Sequence, residues 1–400
     1  MVARALTTVT LTLGLCAVAS AQQVAIQVGK LLTMDDDNRI FEPGMIVIDG
    51  GKLAYVGAVK EAPEGAEFHD HPDAWAVPGM IDLHSHIQTG GWGDINDMVL
   101  PINCEFRTTP TIRPSNRLIN RACAAGVTML FGIGGSGTSI SSFGVLYKTK
   151  TKAKFEEIIF ADPGGMKVAQ THNPERSAGD LGRTRAGLSW ILTDINEKAR
   201  AANEQGRFDV QLENLKKVHS KELPVLIHCA GNDGVANTVR MWKVAYDTRC
   251  VVSHGSFDGW FCAKFCADNE VPVNHGPRTM NYRSGYNVGR IVGSGHEYVK
   301  AGVPFFSLNT DAGVMPQEEL FLQGAMSAWL GADPYEMLQA VTIHPAKSFG
   351  IDDRVGSLEV GKDADVVLWS GDPLDPRQRA LLVLIDGQIQ YDPERSVREF

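Results

Sequence analysis

Two histidines separated by one residue, His84 and His86, are the clearest chemical feature of the sequence. They end an apolar run that begins at Pro78, and side chains along a strand alternate between its two faces, so both imidazoles point to the same side. Neutral imidazole nitrogen is a good ligand for Zn²⁺ and its first-row neighbours. A glycine-rich stretch over residues 90–93 follows directly. The pair alone is a weak signal, but this context predicts a metal site.

Three later polar residues occupy equivalent places, because each comes at or shortly after the end of an apolar run. They are His228, His254 and Asp311. A single residue at such a place is more often a cap or a satisfied core group. The carboxyl ends of the strands of an α/β barrel, however, converge on one face. The three residues are therefore predicted to join the histidine pair in one site.

The elements that would position these residues alternate between strand and helix. Strand-like apolar runs occur at residues 76–83, 127–133, 143–148, 165–169, 225–228, 250–253, 271–273 and 305–308. Helix-compatible stretches lie between several of them, at residues 197–218, 232–246 and 319–330. Alternation of this kind favours a parallel sheet, and eight strands in order favour a (β/α)8 barrel over an open sheet.

The two ends of the chain have a different character. Short strand-like runs and hairpin turn signals occur at residues 24–28, 45–48, 53–56, 364–369 and 381–385. We therefore expect an α/β fold with a (β/α)8 TIM barrel over 76–346. A small β-sandwich domain built from both chain ends, 22–75 and 347–400, is expected beside it.

The amino terminus reads as a cleavable signal peptide over residues 1–21. Arg4 supplies a positive charge, residues 5–18 are apolar or small, and 19–21 form an Ala-Ser-Ala cleavage pattern. A retained membrane anchor and a lipoprotein attached through Cys16 are the alternatives. The expected location of the mature protein is a bacterial periplasm or the cell exterior.

Composition narrows the possible partners. The chain of 400 residues is 44% hydrophobic and 21% charged, with a formal net charge of −9 and no run of basic residues, so nucleic acid is not an expected partner. After the signal peptide no apolar run is long enough to span a membrane. The mature chain has six cysteines but no CxxC pair, which argues against a thiolate zinc site. A small-molecule substrate is expected, and homo-oligomerisation stays open.

Longer stretches of the chain resemble the amidohydrolase superfamily, and in particular its imidazolonepropionase-like branch. The resemblance covers nearly the whole mature sequence. It rests on VPGMIDLHSH, SLNTDA, VTIHPAKSFGIDDRVGSLEVGKDADVVLWSGDP and VLIDGQIQY. These motifs are specific for the superfamily and say much less about the substrate.

The resemblance implies two divalent metal ions, expected to be zinc. His84, His86 and Asp311 would hold the first ion, and His228 and His254 the second. A hydroxide bridging the ions would be the nucleophile, with Asp311 as general acid and base. The implied reaction is hydrolysis of a C–N bond in an amide, cyclic amide or dipeptide.

A carboxylated lysine bridges the two metals in binuclear members of the superfamily. Lys167, in Gly164–Val168, matches the usual arrangement of small residues, an apolar residue and lysine. Lys148 and Lys150, in and just after the preceding strand candidate, are the rivals. A lysine that is merely paired with a carboxylate is the remaining alternative.

Four residues are candidates for substrate binding. His172 stands where the related branch often has glutamate, and His275 ends the seventh strand candidate. Arg278 and Tyr282 follow in a loop where a carboxylate or phosphate group could bind. A structural histidine at 275 and a solvated loop after it are the plainer readings. His344 is expected to be structural.

Two other functions share the same residues. The site could hydrolyse an ester, a lactone or a phosphotriester, since the same nucleophile attacks those bonds. The chain could instead be a non-catalytic periplasmic binding protein on this fold, although such a protein would be expected to lack Asp311.

Overall fold

The computed structural model describes residues 23–89, 94–175, 184–281 and 289–395. The predicted signal peptide and Tyr282 lie outside these ranges. None of the helices within them is both long enough and apolar enough to cross a bilayer.

Strands run through both ends and the middle of the described chain. In order they are β1 (Val24–Leu32), β2 (Ile40–Phe41), β3 (Gly44–Asp49), β4 (Lys52–Ala58), β5 (Glu67–Pro78), β6 (Met80–Ser85), β7 (Val127–Gly132), β8 (Ile140–Lys148), β9 (Ile159–Ala169), β10 (Val225–Ala230), β11 (Cys250–Ser256), β12 (Val273–His275), β13 (Met280–Asn281), β14 (Val292–Gly293), β15 (Ser307–Leu308), β16 (Val366–Trp369), β17 (Ala380–Ile385) and β18 (Gln388–Tyr391).

The helices lie between β6 and β16 along the chain. In order they are α1 (Arg117–Ala124), α2 (Phe155–Ile158), α3 (Arg185–Glu204), α4 (Glu213–His219), α5 (Asn232–Thr238), α6 (Ala263–Asp268), α7 (Ser294–Lys300), α8 (Leu320–Trp329), α9 (Pro334–Gln339) and α10 (Ile343–Phe349). A π-helical turn, Val239–Ala245, continues α5. The single helix predicted over 197–218 is wrong. It is two helices, because the chain leaves α3 and takes a left-handed conformation at Gly206.

Strands from both ends of the chain pair in one mixed sheet, which we call the small sheet. Its order is β18-β17-β16-β5-β1-β3-β4, with β2 on β1. The link between the ends is the antiparallel pairing of Val366–Trp369 with Trp75–Pro78. One apolar face of this sheet forms its own core around Ile26, Val366 and Leu384. The predicted joining of the chain ends thus takes the form of a single hydrogen-bonded sheet, and a two-layered sandwich stays a prediction.

The central strands form the second sheet, in the order β15-β12-β11-β10-β9-β8-β7-β6. A parallel bridge between Ser85 and Ala312 connects its two edges and closes it into a TIM-like barrel. Strands such as β7 and β10 are buried along their whole length, which is why they read as continuous apolar runs rather than alternating ones. All eight predicted strand regions contribute a strand to this barrel.

One strand of the barrel departs from the expected parallel arrangement. β8 runs antiparallel to both β7 and β9. Parallel neighbours need a crossover of about a dozen residues or more, whereas residues 133–139 leave room only for a tight connection from β7 to β8. The barrel therefore has a mixed sheet, and the prediction of eight parallel strands is wrong at its third strand.

Candidate metal site

Four histidines and one aspartate meet at the carboxyl ends of the barrel strands. His84 lies on β6, His86 just after it, His228 on β10, His254 on β11, and Asp311 three residues after β15. The ring centroid of His254 is 4.4 Å from that of His84 and 4.5 Å from that of His228. All the histidine and aspartate positions predicted for the metal site are brought together.

Asp311 lies between the two histidines of the first pair. Its Oδ1 is 3.3 Å from Nε2 of His84 and 3.3 Å from Nε2 of His86. Single ligand atoms of His84, His254 and Asp311 lie within 4.8 Å of one another, a spacing that suits a metal site. Burial alone would raise the pKa of Asp311, but its hydrogen bond with His86 and the charge of His254 bring the pKa below its ordinary value.

The other ring nitrogen of three of these histidines is held by the protein. Nδ1 of His86 lies 3.0 Å from the carbonyl oxygen of Ile133, and Nδ1 of His254 lies 3.1 Å from that of Gly276. A carbonyl oxygen only accepts, so Nδ1 donates and Nε2 carries a lone pair. Nδ1 of His84 makes the corresponding contact with Ser253 Oγ at 2.7 Å. The two carbonyl contacts fix the tautomer that ligates metals through Nε2, and the Ser253 hydroxyl, which can donate or accept, orients the ring of His84.

Several nitrogens in this cluster are buried without a hydrogen-bond partner among the described residues. They are Nε2 of His84, Nε2 of His254 and both ring nitrogens of His228. Unsatisfied polar atoms are rare in protein interiors and call for a partner. Burial, followed by the charge of His254, holds the pKa of His84 and of His228 well below its usual value, which favours the neutral ligand form. The donor set therefore fits divalent metal ions.

Lys167 and Lys148 have different surroundings. Lys167 is completely buried on β9, and its Nζ donates to Ser136 Oγ at 2.6 Å. Burial lowers the pKa of Lys167 to about 7, although Asp311 opposes the shift. Lys148 instead forms ion pairs with Asp363 and two other aspartates. The charge of Asp311 acts on the pKa of Lys167, whereas the charges that raise the pKa of Lys148 are those of Asp365 and Asp386.

Asp82 is a site-supporting residue that the sequence analysis did not single out. Its buried carboxylate accepts hydrogen bonds from the backbone and hydroxyl of Thr310, at 3.0 and 2.7 Å, from Gln317 Nε2 at 2.7 Å, and from the backbone of His84 at 2.8 Å. Burial raises the pKa of Asp82 to about 6 despite these bonds. Asp82 thus connects the strand of the histidine pair to the residue before Asp311. The signal was available, since 82, 84 and 86 alternate on one strand face.

Three residues at the site have left-handed backbone conformations. They are His172, His254 and Asp311, with φ of 64°, 71° and 49°. Each such conformation in a residue other than glycine costs on the order of 1–3 kcal/mol and is found preferentially at functional sites. The surrounding contacts hold these side chains where an unstrained chain would not place them.

A cavity of about 460 Å³ opens beside the cluster, and His228, His254 and Asp311 form part of its wall. His172 and Arg278, two of the predicted substrate-binding residues, line it as well. The ring of His172 lies 5.4 Å from that of Phe257, another lining residue.

Two other histidines have structural roles. His275 is completely buried, with Nδ1 2.6 Å from the carbonyl of His254 and Nε2 2.7 Å from Ser294 Oγ. Both nitrogens are used within the protein, which favours the structural role of His275, and its substrate contact stays a prediction. Nδ1 of His344 lies 2.9 Å from the carbonyl of Phe306, in keeping with the structural role expected of it.

Comparisons with known proteins find similarity to amidohydrolases and imidazolonepropionases. The Amidohydrolase family model matches residues 292–394. Amidohydrolase tasK of Hapsidospora irregularis is 34% identical over 87% of this chain. Imidazolonepropionase of Bacillus cereus is 23% identical over 86% of this chain and 89% of its own length. The crystal structure of an amidohydrolase from Thermotoga maritima superimposes with a TM-score of 0.81 at 28% identity, covering 92% of this chain and 100% of that one.

Some of these similarities are partial. The aligned part spans 40% of the length of tasK, and 18% and 15% of two further imidazolonepropionases, from Paenarthrobacter aurescens and Cupriavidus taiwanensis.

Proposed function

The chain belongs to the amidohydrolase superfamily, and from that premise we propose that it is a metal-dependent hydrolase of C–N bonds. Its substrate would be an amide, a cyclic amide or a dipeptide. The observation that carries the proposal is the set of buried histidine nitrogens without hydrogen-bond partners among the described residues, gathered beside Asp311 at the mouth of a cavity.

The proposed ligands divide into two groups. His84, His86 and Asp311 would hold one divalent cation, and His228 and His254 a second. Imidazole and carboxylate donors suit zinc and its first-row neighbours. Bound there, the cations would lower the pKa of water toward neutrality and polarise the carbonyl under attack.

Lys167 is proposed to complete the site as a carbamate. Its neutral amine would add to carbon dioxide, forming an N–C bond and releasing a proton, which turns the side chain into an anionic oxygen donor. The lowered pKa of the amine and the absence of a carboxylate in hydrogen-bond contact with its Nζ among the described residues support this role.

Asp311 would perform the proton transfers. Its lowered pKa keeps the carboxylate ionised at neutral pH, so it can accept a proton from the attacking water. The same proton would then pass to the leaving nitrogen, which departs as an amine. Ser253, Ile133 and Gly276 would keep the histidines oriented during this cycle.

The test combines metal analysis with activity. We expect the purified protein to contain a divalent metal and to hydrolyse members of a panel of dipeptides, N-acyl amino acids and cyclic amides. His84→Ala should lose metal and activity, whereas His69→Ala, a histidine on β5 in the other sheet, should keep both. Retention of metal and activity by His84→Ala would overturn the proposal, as would faster cleavage of matched esters with no cleavage of amides.

We also propose that the protein acts in a periplasm or outside the cell after removal of residues 1–21. The support is the pattern of the amino-terminal sequence. Amino-terminal sequencing of the exported protein should begin at Gln22, and a cytoplasmic protein that retains Met1 would contradict this.

A further inference from the structure

A second cavity, of about 630 Å³, lies next to the one beside the metal cluster. Arg278 and Met280 line both cavities, so the two spaces meet at these residues. The second cavity therefore continues the first one away from Asp311. Nothing in the chemistry proposed above makes use of it.

The wall of the second cavity is mostly apolar. Its large side chains are Met280, Met315, Leu322, Met326, Trp329 and Leu374. Trp329 is 74% exposed although it is one of the largest apolar side chains of the protein. An exposed aromatic side chain at the rim of an apolar cavity is typical of a ligand contact, and methionines adapt to ligands of different shape.

The small sheet contributes to this wall. Leu374 and Pro376 belong to the segment between β16 and β17, whereas Leu322 and Trp329 belong to α8 of the barrel. Gly324 on α8 permits the close approach, since a Cβ there would lie 3.0 Å from Leu374 Cδ2. The second cavity is thus built between the two parts of the fold.

Arg278 stands where the two cavities meet. Among the described residues its guanidinium has neither a hydrogen bond nor an ion pair, and its side chain is exposed. The planar guanidinium recognises carboxylates through paired hydrogen bonds. A cationic group therefore lies between a space that holds the catalytic residues and a space that suits an apolar group.

We propose that the second cavity binds the apolar side chain of the amino acid released by hydrolysis, with its α-carboxylate on Arg278. The carboxylate, the side chain and the amide nitrogen all attach to one α-carbon. With that carbon beside Arg278 and Met280, the side chain extends toward Trp329 and the nitrogen toward Asp311. The substrate class is then N-acyl amino acids and dipeptides that end in a bulky apolar residue. This inference rests on the proposed function.

Substrate series test the two contacts separately. We compare kcat/KM for Gly-Phe and Gly-Leu with that for Gly-Ala, and for Gly-Phe with its carboxyl amide. The enzyme should prefer the bulky residues by about 10-fold or more, and should discriminate against the amide by a similar factor. Preference for small or polar carboxyl-terminal residues, with amide hydrolysis intact, overturns the subsite and leaves the proposed function standing.

Variants assign the contacts to residues. Trp329→Ala should narrow the ratio of Gly-Phe to Gly-Ala, and Arg278→Met should remove the discrimination against the carboxyl amide. Trp190→Ala is the matched control, because Trp190 is 58% exposed on α3 and does not line the cavity. Unchanged ratios in Trp329→Ala and Arg278→Met overturn the inference. A metal-loaded protein that cleaves no amide overturns this inference and the proposed function together.

Discussion

Lys148 and Lys167 are both buried lysines on neighbouring strands of the barrel, with exposures of 3% and 0%. Lys148 Nζ is 2.8 Å from Asp363 and 3.1 Å from Asp365, and it also contacts Asp386. Burial alone would lower the pKa of Lys148, but these three carboxylates raise it. Lys167 has only the hydroxyl of Ser136 in hydrogen-bond contact among the described residues, and its pKa falls to about 7.

The difference separates two centres. The ion pairs around Lys148 form a structural centre, and the groups around Lys167 form a chemical centre. Around Lys148, each charge is matched by an opposite charge, and the group joins the barrel to the small sheet. Around Lys167, histidine nitrogens are buried without hydrogen-bond partners in the part of the chain that the structure describes. Buried polar atoms left in this state are costly, so a stable protein keeps them where a ligand or a reaction needs them.

The largest expected effect belongs to Asp311, in the chemical centre. Asp311→Asn should lower kcat by roughly 10²–10⁴-fold, because the amide cannot accept and return a proton. The melting temperature should change little, since the substitution is close to isosteric. Steady-state kinetics measure the fall in kcat, and thermal melts measure the change in melting temperature. An unchanged kcat would exclude Asp311 as the acid and base.

The two lysines provide the most direct challenge to the comparison. Lys148→Met should reduce the free energy of unfolding by about 3–5 kcal/mol, since it leaves the buried Asp365 without its cation and removes one of the cations that pair with Asp363 and Asp386. Lys167→Met should leave that free energy unchanged or higher while abolishing metal binding and activity. Denaturant titrations of both variants measure this. Equal stability losses would show that the two lysines do the same structural work.

Asp82 combines the two roles, because it is a buried structural group that positions residues of the chemical centre. Asp82→Asn should reduce stability by up to about 3 kcal/mol, because an amide nitrogen would face the donors of Thr310 and Gln317. kcat should fall as well, since the histidine pair and Asp311 lose their common support. A variant with lower stability but unchanged kcat and metal content would restrict Asp82 to folding.

Acid should weaken the structural centre through Asp363. Burial would raise the pKa of Asp363, but hydrogen bonds from Lys148 and Lys52 lower it to about 2, against 3.8 for the ordinary group. The contribution to stability is therefore complete above pH 3.8 and is lost as the pH falls through about 2. It amounts to about 2 kcal/mol. Asp363→Asn should flatten the fall in unfolding free energy over this pH window, and an unaltered slope would contradict the assignment.

The sequence predicted the barrel well because each buried strand is an uninterrupted apolar run. It did not predict the reversal of β8, since an apolar run carries no direction. That reversal also explains why Lys148 competed with Lys167. In a parallel strand Lys148 would lie at the carboxyl-end face, whereas in the antiparallel strand it lies six residues beyond Ser142, the partner of Lys167. At ~3.3 Å per residue this is roughly 20 Å away.

The histidines were predictable because they lie at the ends of apolar runs, and Asp311 because it comes three residues after one. His275 also lies at the end of an apolar run, but both of its ring nitrogens bond within the protein. Nothing in its local sequence distinguishes it from His254. The groups that contact these side chains come from other strands and loops. They are Ser136 at Lys167, and Ser253 and the two carbonyls at the histidines. Only the folded register brings them into contact.

The pairing of β5 with β16 has a consequence for how the chain reaches its native state. Nearly the whole barrel lies between Trp75–Pro78 and Val366–Trp369 along the chain. Pairing these two segments therefore closes a very long loop, which has a high entropic cost. During synthesis, β1 to β5 are made first, and the edge of β5 that pairs with β16 stays unpaired until β16 has been made. Contacts of such sequence separation form slowly. We therefore expect the small sheet to be completed late in folding, and a chain stalled before residue 366 to expose a strand edge prone to aggregation.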